Sequence, residues 1–218
     1  VQLTPSLSLR SALLAGVAVT ALCAGAPGAV AAPDAPRFAA APSSFADAPA
    51  IATAHGPYGR LRPLAALSAE RLATGDLVAA AKWGTGTPVD DPAREREVLR
   101  SVAAQARELG ADPAATVRIF RDQIEASKVV QRGLHRLWEA DPGRAPTERP
   151  DLGAVRKEIN RVNGELVRAI AASPSARSAP YCAPLLTTAA VRVRHARHLD
   201  GLHTAALARS LRSVCDGG

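Results

Sequence analysis

Arg71 and Lys82 stand eleven residues apart, about three helical turns. A helix spanning both sets two cations on one face with Leu64, Leu67 and Val78. Further along, Val117, Phe120, Ile124, Ser127, Gln131, Leu134 and Trp138 recur in steps of three and four. They make a second stripe in which Ser127 and Gln131 take places that a core would give to apolar side chains. An unpaired polar group in a core costs roughly 1–3 kcal/mol. Two cations and two neutral polar groups turned inward predict a polar cavity inside a helical bundle, with a small anion as its occupant. For either cation alone the alternative is snorkelling, with the stem on the core and the charged head in water. Arg94 falls in the first turn of a helix opened by Asp91-Pro92, where a cation opposes the helix dipole and needs an outside partner. An ion pair with Asp90, Asp91 or Glu97 would also answer that need. Arg156 and Glu95 are ambiguous taken singly.

Other chemistries lack their parts. The chain has no Gly-rich phosphate loop, no GxSxG elbow and no dinucleotide fingerprint. His195, His198 and His203 have no accompanying ligand spacing and read as solvated helix ends. Neither a metal nor a cofactor is expected.

The elements that must position these residues are helices. The chain is rich in Ala, Leu and Arg, all good helix formers, and lacks alternating β-branched runs. The expected fold is an all-α, single-domain bundle of six helices. The first runs from about Leu64 to Trp83 and is broken by Gly84-Thr85-Gly86-Thr87-Pro88. Asp91-Pro92 opens the second, with stripe Val98, Val102, Ala106 and Leu109, and Gly110 stops it. Asp112-Pro113 opens the third, which ends near Ala140. Asp151 caps the fourth, and residues 179–215 make two more that break near His198–Asp200.

Residues 1–31 read as an export signal: Arg10, an apolar run from Ala12 to Ala24, then the small-x-small site Ala29-Val30-Ala31. The apolar run is short and rich in Gly and Ala, so no stable membrane insertion is expected after cleavage. Residues 32–60, dense in Ala, Pro and Ser, read as a flexible leader, and the domain spans 61–218. Cys23 leaves with the signal, so Cys182 and Cys215 remain as an even pair in a compartment that permits a disulfide; two free thiols are the alternative. Formal charge is +7, but the arginines alternate with acids and aromatics are 3% of residues, which argues against nucleic acid as a partner.

Several spaced segments agree in order with one family. Arg71-Leu72, Asp76-Leu77-Val78-Ala79-Ala80-Ala81-Lys82-Trp83, Asp91-Pro92-Ala93-Arg94-Glu95 and Phe120-Arg121-Asp122-Gln123-Ile124-Glu125-Ala126-Ser127, closed by Gln131, resemble the all-helical AroQ-class chorismate mutases. Pro150-Asp151-Leu152 with Arg156, the stretch from Ser178 to Cys182, Arg197-His198-Leu199-Asp200 and Cys215 are similar to the secreted gamma subclass. The resemblance implies extracytoplasmic rearrangement of chorismate to prephenate, without cofactor or covalent intermediate. It implies that Arg71 and Arg156 meet the substrate carboxylates with help from Ser127. Lys82 would bridge the ether oxygen and a carboxylate, and Gln131 would donate to the ether oxygen from the other side. Arg94, Glu95 and the Asp91 region would hold the ring hydroxyl. Val98 stands where some secreted relatives have a polar residue. One chain supplies a whole pocket in that subclass, which permits a homodimer without requiring one. Two rivals remain: an isochorismate pyruvate lyase on the same fold, and a secreted binding or effector protein without turnover.

Overall fold

The computed structural model describes residues 56–215. The expected export signal and nearly all of the 32–60 leader lie outside them. Among the described residues there are seven α-helices, one 3-10 turn and no strand. They run in the order α1 Pro57–Lys82, α2 Pro92–Glu108, α3 Pro113–Ala140, the 3-10 turn Pro142–Arg144, α4 Leu152–Ala171, α5 Pro174–Arg177, α6 Cys182–Ala196 and α7 Gly201–Ser210. None of them is long and apolar enough to cross a membrane.

Aspartate caps start four of the helices. Asp91 accepts from the Arg94 amide at 3.0 Å, Asp112 from Ala114 at 2.8 Å, Asp151 from Ala154 at 2.7 Å and Asp200 from His203 at 2.8 Å. Each such cap is worth about 1 kcal/mol. Gly110 ends α2 with φ +70°, a left-handed conformation that glycine adopts without steric penalty. Cys182 and Cys215 form a disulfide that ties the start of α6 to the segment after α7.

Two boundaries differ from the sequence reading. The first helix begins at Pro57 and passes through Pro63. Pro63 removes one backbone donor, but the added turns bury Leu61 completely, let Arg60 donate to the Ala172 carbonyl at 2.8 Å and lay Tyr58 under the Arg192 guanidinium. The helix beyond the expected six, α5, is a single turn with Pro174 at its start, where a proline lacks nothing the helix needs.

α1 is the axis of the fold. It packs against α3, α4, α5, α6 and α7. Its buried residues Leu61, Leu64, Ala65, Ala69, Leu72 and Ala79 wrap around the helix and do not form one stripe. Of the face expected from sequence, Leu64 and Arg71 are buried, while Leu67, Val78 and Lys82 are half-buried. α3 likewise buries a wider arc than the expected stripe. Ile119, Gln123, Ala126 and Val130 are fully buried beside it, because α3 packs on α1 and α7 as well as on α2.

Candidate active site

A cavity of about 110 Å³ lies between α1, α2, α3 and α4. Its walls include all eight residues singled out from sequence: Arg71 and Lys82 from α1, Asp91 before α2, Arg94 and Glu95 on α2, Ser127 and Gln131 on α3, and Arg156 on α4. Val78, Val98, Ile124, Leu152 and Ile159 give it apolar sides.

Arg71 sits deepest, at 6% exposure. Its Nε donates to Asn163 Oδ1 at 2.9 Å and its NH1 donates to the Gln123 carbonyl at 2.8 Å. No carboxylate among the described residues pairs with it. Burial lowers its pKa to about 10, so the guanidinium stays charged at neutral pH. Two neutral acceptors hold the side chain still and leave its charge uncompensated.

Lys82 is the last residue of α1. Its Nζ donates to the carbonyls of Pro88 at 2.7 Å and Val89 at 3.1 Å. Burial pushes the ammonium below the ordinary lysine value; Asp91 opposes that shift and Arg156 adds to it. The end of the helix is pinned by Trp83, which stacks edge-on against Trp138 and beside His135. His135 Nε2 donates to the Ala79 carbonyl at 3.0 Å.

On α3, Gln131 is 5% exposed and its Nε2 donates to Ser127 Oγ at 3.2 Å. Its Oε1 is buried without a partner. Gly75 on α1 makes room for this pair, since a Cβ there would lie 3.2 Å from Ser127 Oγ.

Arg94 has the neighbours that the ion-pair alternative anticipates. It donates to Glu97 at 2.7 Å and to Asn160 on α4 at 3.0 Å, while its backbone amide is capped by Asp91. Arg156 is exposed at the cavity edge. Val98 is buried in the wall. The histidines need one correction. His203 is not a solvated helix end, because its Nε2 meets Asp76 at 2.9 Å and its Nδ1 meets Asp200 at 2.8 Å, joining α7 to α1. The Asp76 hydrogen bond, opposed by burial and aided by Asp200, raises its pKa to about 9.

Sequence reasoning missed Asn163, Gln123 and Lys128. Asn163 lies four residues after Ile159 and three before Leu166, so it was legible as a polar interruption of the α4 stripe. Gln123 follows Ile119 and precedes Ala126 by the same steps. Its Nε2 donates to Ser68 Oγ at 2.7 Å and to the Ser210 carbonyl at 3.0 Å, so it fastens α3 to α1 and α7. Lys128 lines the cavity and meets Glu125 at 2.6 Å, Glu95 at 3.0 Å and Asp90 at 3.2 Å. The spacing to Glu125 signals only a local pair, and nothing in the sequence brings Asp90 and Glu95 to the same ammonium.

Comparison with known proteins places the chain among chorismate mutases. The family model for chorismate mutase type II matches residues 62–132, the span that carries Arg71 to Gln131. The secreted chorismate mutase of Mycobacterium tuberculosis is 36% identical over 167 residues, covering 77% of this chain and 83% of that protein. The secreted chorismate mutase of Mycolicibacterium smegmatis is 36% identical over 155 residues, covering 71% and 86%. The crystal structure of chorismate mutase from Burkholderia phymatum superposes with a TM-score of 0.69 at 35% identity, covering 73% of this chain and 98% of that one.

Proposed function

The chain belongs to the all-helical, type II chorismate mutase family, and we propose on that footing that its cavity rearranges chorismate to prephenate by electrostatic preorganisation. The observation that carries the reading is the charge balance of the walls. Lys128 is saturated by three carboxylates and Arg94 is paired with Glu97. Arg71, Lys82 and Arg156 have no such partner, and they line one cavity. Three cations with no bonded carboxylate, against the single unpaired wall carboxylate of Asp91, suit a small dianion, and chorismate carries two carboxylates.

The rearrangement is a Claisen step: the ether C–O bond breaks as a C–C bond forms, and negative charge grows on the ether oxygen. Arg71 and Arg156 hold the carboxylates, with the Ser127 hydroxyl assisting, so that the enolpyruvyl arm folds over the ring into a near-attack geometry. Lys82 leaves the Pro88 and Val89 carbonyls and bridges the ether oxygen and a carboxylate. Its charge is worth most where the oxygen gains most, in the transition state. Gln131 donates to the same oxygen from the other side. Turning its amide over lets the Ser127 hydroxyl donate to Oε1, which satisfies the orphaned atom and frees Nε2 as a donor. Asp91, Arg94 and Glu95 face the ring hydroxyl, and Glu95 supplies the acceptor that Val98 lacks. A millionfold acceleration needs about 8 kcal/mol from these contacts together.

Every wall residue comes from one chain, so the reading requires no dimer. Residues 1–31 direct export, in keeping with relatives that are secreted. The test is an assay of purified mature protein with chorismate and, separately, with isochorismate, with and without chelator, following products by chromatography. Prephenate from chorismate, unaffected by chelation, is expected. Pyruvate release from isochorismate alone would identify a lyase, and no product from folded protein would leave only a binding role.

A further inference from the structure

We propose that Lys128 is a positioning residue that gathers Asp90 and Glu95 onto one ammonium, fixing the loop between α1 and α2 and setting the Glu95 carboxylate on the cavity wall. The inference deepens the reading above and rests on it for the role of Glu95.

Lys128 is 9% exposed, on α3 one residue beyond Ser127. Its three contacts come from three places: Asp90 in the loop, Glu95 on α2 and Glu125 on α3. Burial alone would lower the ammonium, but the hydrogen bonds to Glu125, Glu95 and Asp90 outweigh it and hold the group above the ordinary lysine value. It is therefore a fixed cation whose charge is spent on carboxylates.

Two consequences follow from the placement. Asp90 is also gripped by Arg132, whose NH2 donates to both carboxylate oxygens at 2.7 and 2.8 Å. Lys128 and Arg132, one turn apart on α3, clamp the residue next to Val89, whose carbonyl, with that of Pro88, holds Lys82. The clamp thus fixes where the Lys82 ammonium waits. The second consequence is electrostatic. Without Lys128, Glu95 would stand as a bare carboxylate on the wall of a site for a dianion. It would repel the ligand instead of accepting its hydroxyl.

Removal of Lys128 leaves the carboxylates in different states. Asp90 keeps Arg132, and Glu125 keeps Arg209 of α7 at 3.9 Å. Glu95 keeps no cation bonded to it; Arg71 and Lys82 on α1, Arg94 on α2 and Arg156 on α4 face the same cavity, and Asp91 adds a further negative charge there. A carboxylate that has lost its cation beside a bound dianion favours the protonated form more than a paired one does.

The test measures kcat and KM from about pH 5 to pH 8 for wild type, Lys128→Gln, Lys128→Arg and the double variant Lys128→Gln/Glu95→Gln. Amide hydrogen exchange over residues 84–91 of substrate-free protein is measured alongside. Lys128→Gln should raise KM roughly tenfold at pH 8 with a much smaller change in kcat. The excess should shrink toward pH 5, the double variant should lose that pH dependence, and Lys128→Arg should restore most of the wild-type profile. Exchange in the loop should quicken in Lys128→Gln and not in Lys128→Arg. A wild-type KM profile in folded Lys128→Gln overturns the inference, as does a KM defect equal at every pH. If wild type itself makes no prephenate, the site reading has failed separately, and unchanged loop exchange in Lys128→Gln then overturns the clamp.

Discussion

Two hollows of this molecule differ in a way that size does not foretell. The groove between α6 and α7 measures about 580 Å³, against about 110 Å³ for the cavity among α1 to α4. Ala183, Leu186, Ala190, Leu207 and Leu211 form much of the groove, and no acidic residue lines it. The small cavity is built where polar side chains such as Arg71, Ser127 and Gln131 take places on the apolar faces of α1 and α3. The proposed reaction belongs to the cavity that holds those polar side chains, not to the larger groove. The groove end is instead held by the disulfide and by Arg177, whose Nε donates to the Val214 carbonyl at 2.8 Å.

The comparison breaks most readily at Lys82. Lys82→Ala should lower kcat/KM by about a thousandfold, some 4 kcal/mol of transition-state stabilisation. Arg94→Lys should cost far less, because Arg94 is already engaged by Glu97 and Asn160. Leu186→Ala in the groove should leave kcat/KM near wild type while lowering the melting temperature. A loss of only a few-fold for Lys82→Ala, in steady-state assays of folded protein, would mean that the small cavity is not the reacting site.

The groove end answers to a different treatment. The disulfide closes a span of 33 residues. Replacing both cysteines by serine should cost roughly 3–4 kcal/mol of stability in the chain-entropy model. Denaturant unfolding would read the loss, and kcat of the protein that remains folded should not change. A large fall in kcat would show that the two ends are coupled.

A smaller effect sharpens the role of Gln131. A glutamine donates at any ordinary pH, whereas a glutamate donates only when protonated. Wild type should show weak pH dependence of kcat between about pH 5 and 8. Gln131→Glu should be impaired roughly tenfold or more at pH 8 and recover as pH falls. Lost stability without recovery on acidification would make Gln131 a core amide only.

The smallest effect belongs to His203, which ties α7 to α1 away from both hollows. Its folded pKa is raised to about 9 from an ordinary 6.5. The stabilisation is therefore complete below pH 6.5 and is lost as pH rises through 9. The melting temperature should fall by roughly 2–4 °C across that window, and His203→Gln should flatten the profile.

These two regions were unequally legible in the sequence. The aspartate–proline starts at Asp91-Pro92 and Asp112-Pro113 are local signals, and α2 and α3 begin where they say. Ser127 and Gln131 showed themselves because they interrupt a stripe. Gln123 and Lys128 did not, because a single stripe per helix describes a helix with one neighbour, and α3 has several. The start of α1 was hidden by Pro63, whose local penalty is outweighed by the burial of Leu61 against elements far along the chain. The ion cluster on Lys128 depends on the path of a loop, and no periodicity encodes it.

The central position of α1 also sets an order of events in time. α6 begins at Cys182, a hundred residues after α1 ends at Lys82, and α6 and α7 both cover α1. Contacts so distant along the chain close slowly, since each must first overcome the entropy of a long loop. A chain crossing a membrane N-terminus first delivers its axis long before the helices that enclose it. Until α6 and α7 follow, Leu61, Leu64 and Leu72 have no complete surroundings, and the polypeptide stays threadable. The same architecture exposes a greasy helix to its neighbours throughout that interval. Export and a buried first helix are thus compatible for one reason: the fold cannot finish until the last quarter of the chain has arrived.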